Sequence, residues 1–72
     1  MPRVLKYKQV VKALNSFGYN EVRQRGSHVI FKNNKGEITV VPKHKSGDVK
    51  HGTVGKVCKD IKVSFEDFEK NV

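Results

Sequence analysis

The tripeptide Gly26-Ser27-His28 contains the residue types best suited to chemistry on a phosphate. A histidine can donate or accept a proton because the unperturbed imidazole pKa of about 6.5 lies near neutral pH. A glycine lets a phosphate approach the backbone closely, and a serine hydroxyl can donate a hydrogen bond to it. We therefore predict that His28 is catalytic and that Gly26 and Ser27 bind phosphate. An ordinary surface histidine is the alternative interpretation of His28.

The charge of the chain favours a polyanionic partner. Fifteen Lys and Arg residues exceed seven Asp and Glu residues, which gives a formal net charge of +8. Nucleic acid, an anionic membrane or an acidic protein could each complement that charge. RNA also suits the candidate histidine, because its 2′-hydroxyl can attack the adjacent phosphorus once a base removes the proton. An acid must then protonate the leaving 5′-oxygen, and Arg or Lys can stabilise the developing negative charge.

Length and composition narrow the class of protein. The 72 residues predict one small domain spanning 1–72, and a core of that size disfavours a deep enclosed pocket. A single cysteine, Cys58, permits no intramolecular disulfide, as expected in the cytoplasm. Short apolar runs predict neither a signal peptide nor a membrane span. Three scattered histidines without a carboxylate cluster predict no metal site, and we expect no cofactor.

Two segments show helical periodicity. Apolar residues recur at i, i+3, i+4 and i+7 at Val10, Ala13, Leu14 and Phe17, and again at Val54, Val57, Cys58 and Ile61. The first pattern predicts a helix over 6–17 ended by Gly18. The second predicts a helix for which Thr53 is the N-cap. Ser64, followed by Asp67, predicts the start of a short terminal helix.

Three strands are predicted between the two longer helices, over 21–25, 27–32 and 37–41, with a turn at 33–36. Residues 43–52 are expected to form a loop. The order predicts an α+β fold: a helix, a three-stranded antiparallel sheet, a second helix and a short terminal helix. Both amphipathic helices need a surface to cover, so we expect them on one face of the sheet, with the other face open.

Strand alternation assigns side chains to the two faces of this sheet. Val29 and Phe31 are the better core candidates, and Val22 is expected to point inward with them. Ser27 falls on the same face as Val29. The opposite, open face would carry four basic or titratable side chains, from Arg23, Arg25, His28 and Lys32.

The loop after the third strand adds more candidates for binding RNA, namely Lys43, His44 and Lys45. His44 and His51 could each supply a second proton-transfer group or bind phosphate. Flexible loop histidines without a function are an equal alternative. Cys58 completes an apolar helical stripe, which argues against a catalytic thiol.

The ensemble of motifs resembles the HicA family of mRNA interferase toxins. The matching segments are Gly18-Tyr19, Gly26-Ser27-His28 followed by Phe31, Val40-Val41-Pro42 with His44, Gly52-Thr53, and the stretch 64–68. Their order and spacing agree with the family over nearly the whole chain. Two positions depart from it: Gly55 lies inside the predicted second helix, and Lys62 stands where the family often has glycine.

The resemblance implies a fold similar to the double-stranded RNA-binding domain. It also implies metal-independent endoribonuclease activity on mRNA, with growth arrest when the toxin is unrestrained. The catalytic histidine of the family corresponds to His28, and its preceding glycine corresponds to Gly26. A HicB-type antitoxin would cover the basic face, with the free toxin a monomer and the complex a hetero-oligomer.

Two other functions remain open from the sequence. A non-catalytic double-stranded RNA-binding module of the same fold would use basic side chains on phosphates and 2′-hydroxyls, here Arg23, Arg25, Lys32, Lys43 and Lys45. A small adaptor that binds an acidic protein would use the same charge without contacting RNA.

Overall fold

In the computed structural model, which describes residues 4–72, two helices and a three-stranded sheet share one hydrophobic core. The elements are β1 (Leu5–Lys6), α1 (Tyr7–Ser16), β2 (Asn20–Arg25), β3 (His28–Lys32), β4 (Ile38–Pro42), β5 (Asp48–Val49), α2 (His51–Ile61) and α3 (Phe65–Glu69). The order of helix, three antiparallel strands, helix and short terminal helix confirms the predicted α+β fold. The ends of the three strands differ from the predicted ones by at most one residue.

The main sheet has the order β2-β3-β4, with β3 in the centre and antiparallel pairing on both sides. Gly26 and Ser27 form the two-residue connection of the first hairpin. The second hairpin turns at Asn33, whose side-chain Oδ1 accepts hydrogen bonds from the backbone N–H groups of Lys35 at 3.0 Å and Glu37 at 2.9 Å. Both connections follow from turn-forming residues in the sequence.

The core lies on one face of this sheet. Val29, Phe31 and Val41 are fully buried there, and apolar side chains of α1 and α2 cover them. Thr39 shares the buried face, and its Oγ1 donates to the Asp60 carboxylate at 3.1 Å, which ties β4 to α2. The elements described within residues 4–72 leave the opposite face of the sheet uncovered, as the two amphipathic stripes predict.

Strand β2 departs from simple alternation. Its register against β3 slips between Glu21 and Arg23, so Val22 has no opposite partner. Val22 is 53% exposed, and the prediction that it points into the core is therefore wrong. The physical cause is a β-bulge, whose extra residue shifts the alternation for the rest of the strand. All six residues of β2 are exposed, whereas β4, at the other edge of the sheet, buries Thr39 and Val41.

Helix α2 begins three residues earlier than predicted. Lys50, in an extended conformation, precedes its first residue His51, so the assignment of Thr53 as the N-cap is wrong. The His51 ring packs edge-on against Phe65, with ring centroids 5.2 Å apart. That contact favours an extra helical turn at this end, although Gly52 within the turn has little intrinsic helix propensity.

The predicted loop over 43–52 is partly ordered into β5. Leu5 and Val49 pair across the short antiparallel ladder, and both are fully buried. Lys6, predicted to open the first helix, lies in β1, and its Nζ is 2.6 Å from an Asp48 carboxylate oxygen. Two-residue strands are too short to show a sequence period, which is why the pattern did not indicate them.

The C-terminal helix is fixed as the sequence predicts. The Ser64 hydroxyl accepts from the Asp67 N–H at 3.1 Å and caps the helix. Phe68 is fully buried and stacks on Phe17 of the segment that follows α1, with centroids 6.4 Å apart.

Candidate functional site

His28 is the first residue of β3, and its side chain is exposed on the open face of the sheet. The strand register places it between Arg25 on β2 and Pro42 on β4. Residues directly opposite each other in antiparallel strands lie on the same face. Arg25 is therefore the cross-strand neighbour of His28 on this face.

A shallow depression of about 300 Å³ adjoins His28. Besides the imidazole it is lined by Val40 and Pro42 of β4 and by residues of the first two turns of α2, which are Gly52, Thr53 and Lys56. The sheet face and the helix thus form two walls of one groove. Lys56 is exposed, so its ammonium group is available to a ligand in this groove.

The start of α2 adds hydrogen-bond donors to that groove. The first backbone bond that closes a turn of the helix runs from the Val54 N–H to the Lys50 carbonyl, at 3.0 Å. The N–H groups of the preceding helical residues have no acceptor within the helix, and the Lys50 side chain does not cap them. The helix dipole also gives this end a partial positive charge, which favours an anion.

Gly26 and Ser27 have a clear structural role. Gly26 has a φ of +59°, the left-handed conformation that primed hairpin turns require at their first central position. Ser27 is exposed, not turned toward the core, and its carbonyl accepts from the Lys43 N–H at 2.6 Å. The tripeptide is therefore a tight turn that delivers His28 to the corner of the sheet.

The other basic residues predicted on the open face lie at increasing distance from His28. Arg23 is opposite Ile30 and so lies two residues farther along the sheet than Arg25. Lys32 shares the face but is four residues along β3, about 13 Å from His28 at the usual strand rise. The structure thus brings Arg25 next to His28 and leaves Lys32 at the opposite end of the hairpin.

The loop residues predicted to bind RNA occupy a different place. Lys43, His44 and Lys45 line a second depression, next to Tyr7 at the start of α1. His51 contacts Phe65 and does not line the groove beside His28. The structure therefore separates the sequence candidates into two neighbouring sites.

Lys56 is the lining residue that sequence reasoning missed. It lies four residues after Gly52, and a spacing of four places residues on one face of a helix. The motif Gly52-Thr53 therefore pointed to Lys56 indirectly. Finding it required knowing that this face of α2 runs beside the open side of β4.

Cys58 is buried at 5% exposure in the core. Burial raises the pKa of its thiol, which disfavours the nucleophilic thiolate. Within residues 4–72, no three His, Cys, Asp or Glu side chains are grouped so that they could hold a metal ion. The described helices include none long and apolar enough to cross a membrane.

The fold and the site define a small basic α+β protein with an open sheet face and a histidine beside a helix N-terminus. The sequence profile described as the HicA toxin of bacterial toxin–antitoxin systems matches residues 7–63, most of the chain. The chain belongs to this HicA toxin family, which confirms the resemblance drawn from its motifs. A search of curated proteins gives no significant match.

Proposed function

We propose that this toxin is a metal-independent endoribonuclease that cleaves mRNA in the cytoplasm, with His28 as its general acid or base. The single domain 1–72 would carry the whole activity. The observation that supports this function is the groove in which His28 lies beside Lys56 and the start of α2. A proton-transfer group and anion-binding groups then border the same space, as phosphodiester cleavage requires.

In the proposed reaction, the ribose 2′-oxygen attacks the adjacent phosphorus and the bond from phosphorus to the 5′-oxygen breaks. The products are a 2′,3′-cyclic phosphate and a 5′-hydroxyl. His28 either accepts the proton of the 2′-hydroxyl or donates one to the 5′-oxygen. Lys56 and the first N–H groups of α2 stabilise the charge that develops on the non-bridging oxygens.

The remainder of the open face would position the RNA. Arg25 and Arg23 contact phosphates on the β2 side of His28, and Lys32 contacts a more distant one. Gly26 and Ser27 lie at the turn between these residues, where a phosphate can approach the backbone. Phosphate contacts of this kind fix the register of a nucleic acid on a protein.

A HicB-type antitoxin would neutralise the toxin by covering this face and the groove. An acidic antitoxin surface complements a chain of net charge +8. The complex would be a hetero-oligomer, whereas the free toxin would be a monomer. Release of the antitoxin under stress would expose His28 and arrest growth.

The test compares the wild-type protein with His28→Ala on an mRNA substrate in the presence of EDTA. We expect the wild type to cleave and His28→Ala to lose cleavage while keeping its fold and most of its RNA affinity. Lys35→Ala is the matched control, because Lys35 is exposed in the turn at the other end of the hairpin. It should cleave normally.

End-group analysis of the products checks the mechanism. A 2′,3′-cyclic phosphate supports attack by the 2′-hydroxyl, whereas a 3′-hydroxyl rules it out. Equal cleavage by the wild type and His28→Ala would exclude His28 as the proton-transfer group. If neither protein cleaves but both bind duplex RNA with steep salt dependence, the chain is a non-catalytic binding module.

A further inference from the structure

A second depression, of about 350 Å³, lies where the start of α1 meets the loop after β4. Four positively charged lysines and a histidine border it, namely Lys6, Lys8, Lys43, Lys45 and His44, with Tyr7 among them. Two carboxylates moderate this charge. Asp48 binds Lys6 at 2.6 Å, and Glu21 lines an adjoining depression with Lys8 and Lys43. Four lysines less two carboxylates leave an excess of two positive charges, before His44 is counted.

The basic groups are held in place by contacts within the chain. The Lys43 ammonium lies 5.3 Å from the centroid of the Tyr7 ring, a cation–π arrangement that orients a flexible side chain. The Tyr7 N–H donates to the Gly47 carbonyl at 2.7 Å, and the Gly47 N–H donates to the His44 carbonyl at 3.0 Å. The turn that carries His44 and Lys45 is thereby anchored to the first residue of α1.

This depression is next to the groove that holds His28. Pro42 lines that groove and Lys43 lines the second depression, and the two are consecutive residues. The hydrogen bond from the Lys43 N–H to the Ser27 carbonyl joins the start of the loop to the turn that precedes His28. A strand of RNA that passes the end of the β3–β4 hairpin away from its turn can therefore contact both depressions.

We propose that the second depression is a phosphate-binding site, occupied by an RNA phosphate that flanks the one at His28. This inference rests on the proposed function, since it takes RNA as the ligand. A cleft bordered by an excess of positive charge concentrates anions, and phosphate is the anion that RNA supplies. Tyr7 acts as a positioning residue, because its ring orients Lys43.

The binding test uses the His28→Ala background, so that RNA is bound without being cleaved. One variant adds K8Q, K43Q and K45Q, and the control adds K35Q, K59Q and K70Q, which removes the same charge elsewhere. Binding of a single-stranded oligonucleotide is measured by fluorescence anisotropy at several salt concentrations. We expect the site variant to bind about tenfold more weakly than the control, with a log–log salt slope smaller by about 0.7, the value for one lost phosphate contact.

The kinetic test uses the same triple substitutions with His28 retained. The site variant should raise KM for the oligonucleotide and leave kcat nearly unchanged, because the lost contact binds substrate and transition state equally. Tyr7→Phe should preserve KM, since its ring still orients Lys43, whereas Tyr7→Leu should raise it with the fold intact by circular dichroism.

The outcomes separate this inference from the proposed function. Equal loss of binding in the two triple variants would overturn the second site and leave cleavage by His28 standing. Selective loss of binding in a protein that never cleaves would keep the site and overturn the nuclease. If the site variant binds RNA normally but no longer binds an acidic antitoxin, the depression serves the protein partner and the inference is wrong.

Discussion

At the scale of single residues, the chemistry of the groove depends on which side chains share it with His28. Lys56 is exposed and approaches from α2, whereas Arg25 approaches from β2. In the proposed complex, the two cations would therefore act on different parts of the RNA. Lys56 borders the same depression as the imidazole, which places it nearer the reacting phosphate in the proposed complex.

We predict that Lys56→Gln lowers kcat by about 100-fold, the lower end of the range that loss of one group stabilising transition-state charge causes in other enzymes. KM should change much less. The measurement is steady-state cleavage of an oligonucleotide of fixed sequence.

Lys59→Gln is the control for that variant, since Lys59 is an exposed lysine on the same helix but outside the groove. A loss of activity shared by both variants would mean that only total charge matters. A rise in KM alone for Lys56→Gln would assign Lys56 to binding and not to the chemical step.

The residue-scale predictions from sequence succeeded where alternation was regular. Val29 and Phe31 are buried and His28 is exposed, because β3 is a central strand without irregularity. Val22 was misassigned because a bulge in β2 depends on pairing between strands, which the local pattern does not contain. The groove as a whole could not be predicted, since it joins His28 to Gly52, which lies 24 residues later in the chain.

At the scale of elements, the end of α2 carries a local conflict between sequence and backbone. Lys62 follows the helix in a left-handed conformation, with a φ of +61°. The Val63 N–H donates to the Cys58 carbonyl at 3.0 Å, which closes the helix end in this geometry. Glycine usually occupies such a position, because a Cβ there costs about 1–2 kcal/mol.

We predict that Lys62→Gly stabilises the protein by about 0.5–1 kcal/mol, since relief of the left-handed strain exceeds the extra entropy that glycine gives the unfolded chain. Urea unfolding at neutral pH measures the change. Lys62→Ala is the control, because it removes the same long side chain but keeps Cβ. Equal stabilisation by both variants would show that loss of the lysine charge, and not the backbone conformation, is responsible.

The sequence indicated the left-handed conformation of Lys62 only through the family resemblance, because HicA toxins often have glycine at this position. The helical stripe of α2 predicted its buried face correctly at Val54, Val57, Cys58 and Ile61. It did not determine the ends, because helix ends depend on neighbours in space. The contact of His51 with Phe65 and the pairing of β5 with β1 involve residues outside the periodic segment. These residues show no hydrophobic periodicity that could have predicted the contacts.

At the scale of the whole molecule, the charge and the fold act together. A net charge of +8 on 72 residues raises the local concentration of a polyanion around the protein. In the proposed complex with RNA, the two neighbouring depressions would then select where the phosphates bind. Composition alone indicated the polyanion, whereas the separation of Lys43, His44 and Lys45 from His28 appears only when the chain is folded.

The stability of the whole molecule should fall at alkaline pH. Burial raises the pKa of the Tyr19 hydroxyl above its ordinary value, and the carboxylates of Glu37 and Asp60 raise it further. Burial also raises the pKa of Tyr7 and of Cys58. In each case the folded state holds the proton more tightly than the unfolded chain. The stability from these shifts is therefore complete below the unfolded pKa, about 8.5 for cysteine and 10 for tyrosine, and it is lost as pH rises through the folded pKa.

Tyr19→Phe isolates the contribution of the most deeply buried tyrosine, which is 4% exposed. We predict that the free energy of unfolding of Tyr19→Phe falls less steeply than that of the wild type between pH 9 and pH 11, because only the wild type ionises this hydroxyl on unfolding. Urea unfolding of both proteins at each pH gives the difference, in which the titration of the lysines cancels. If the free energies of unfolding of the two proteins change in parallel with pH across this range, the folded and unfolded states bind the Tyr19 proton equally. That result would contradict the effect expected from the burial of the ring and from the two carboxylates beside it.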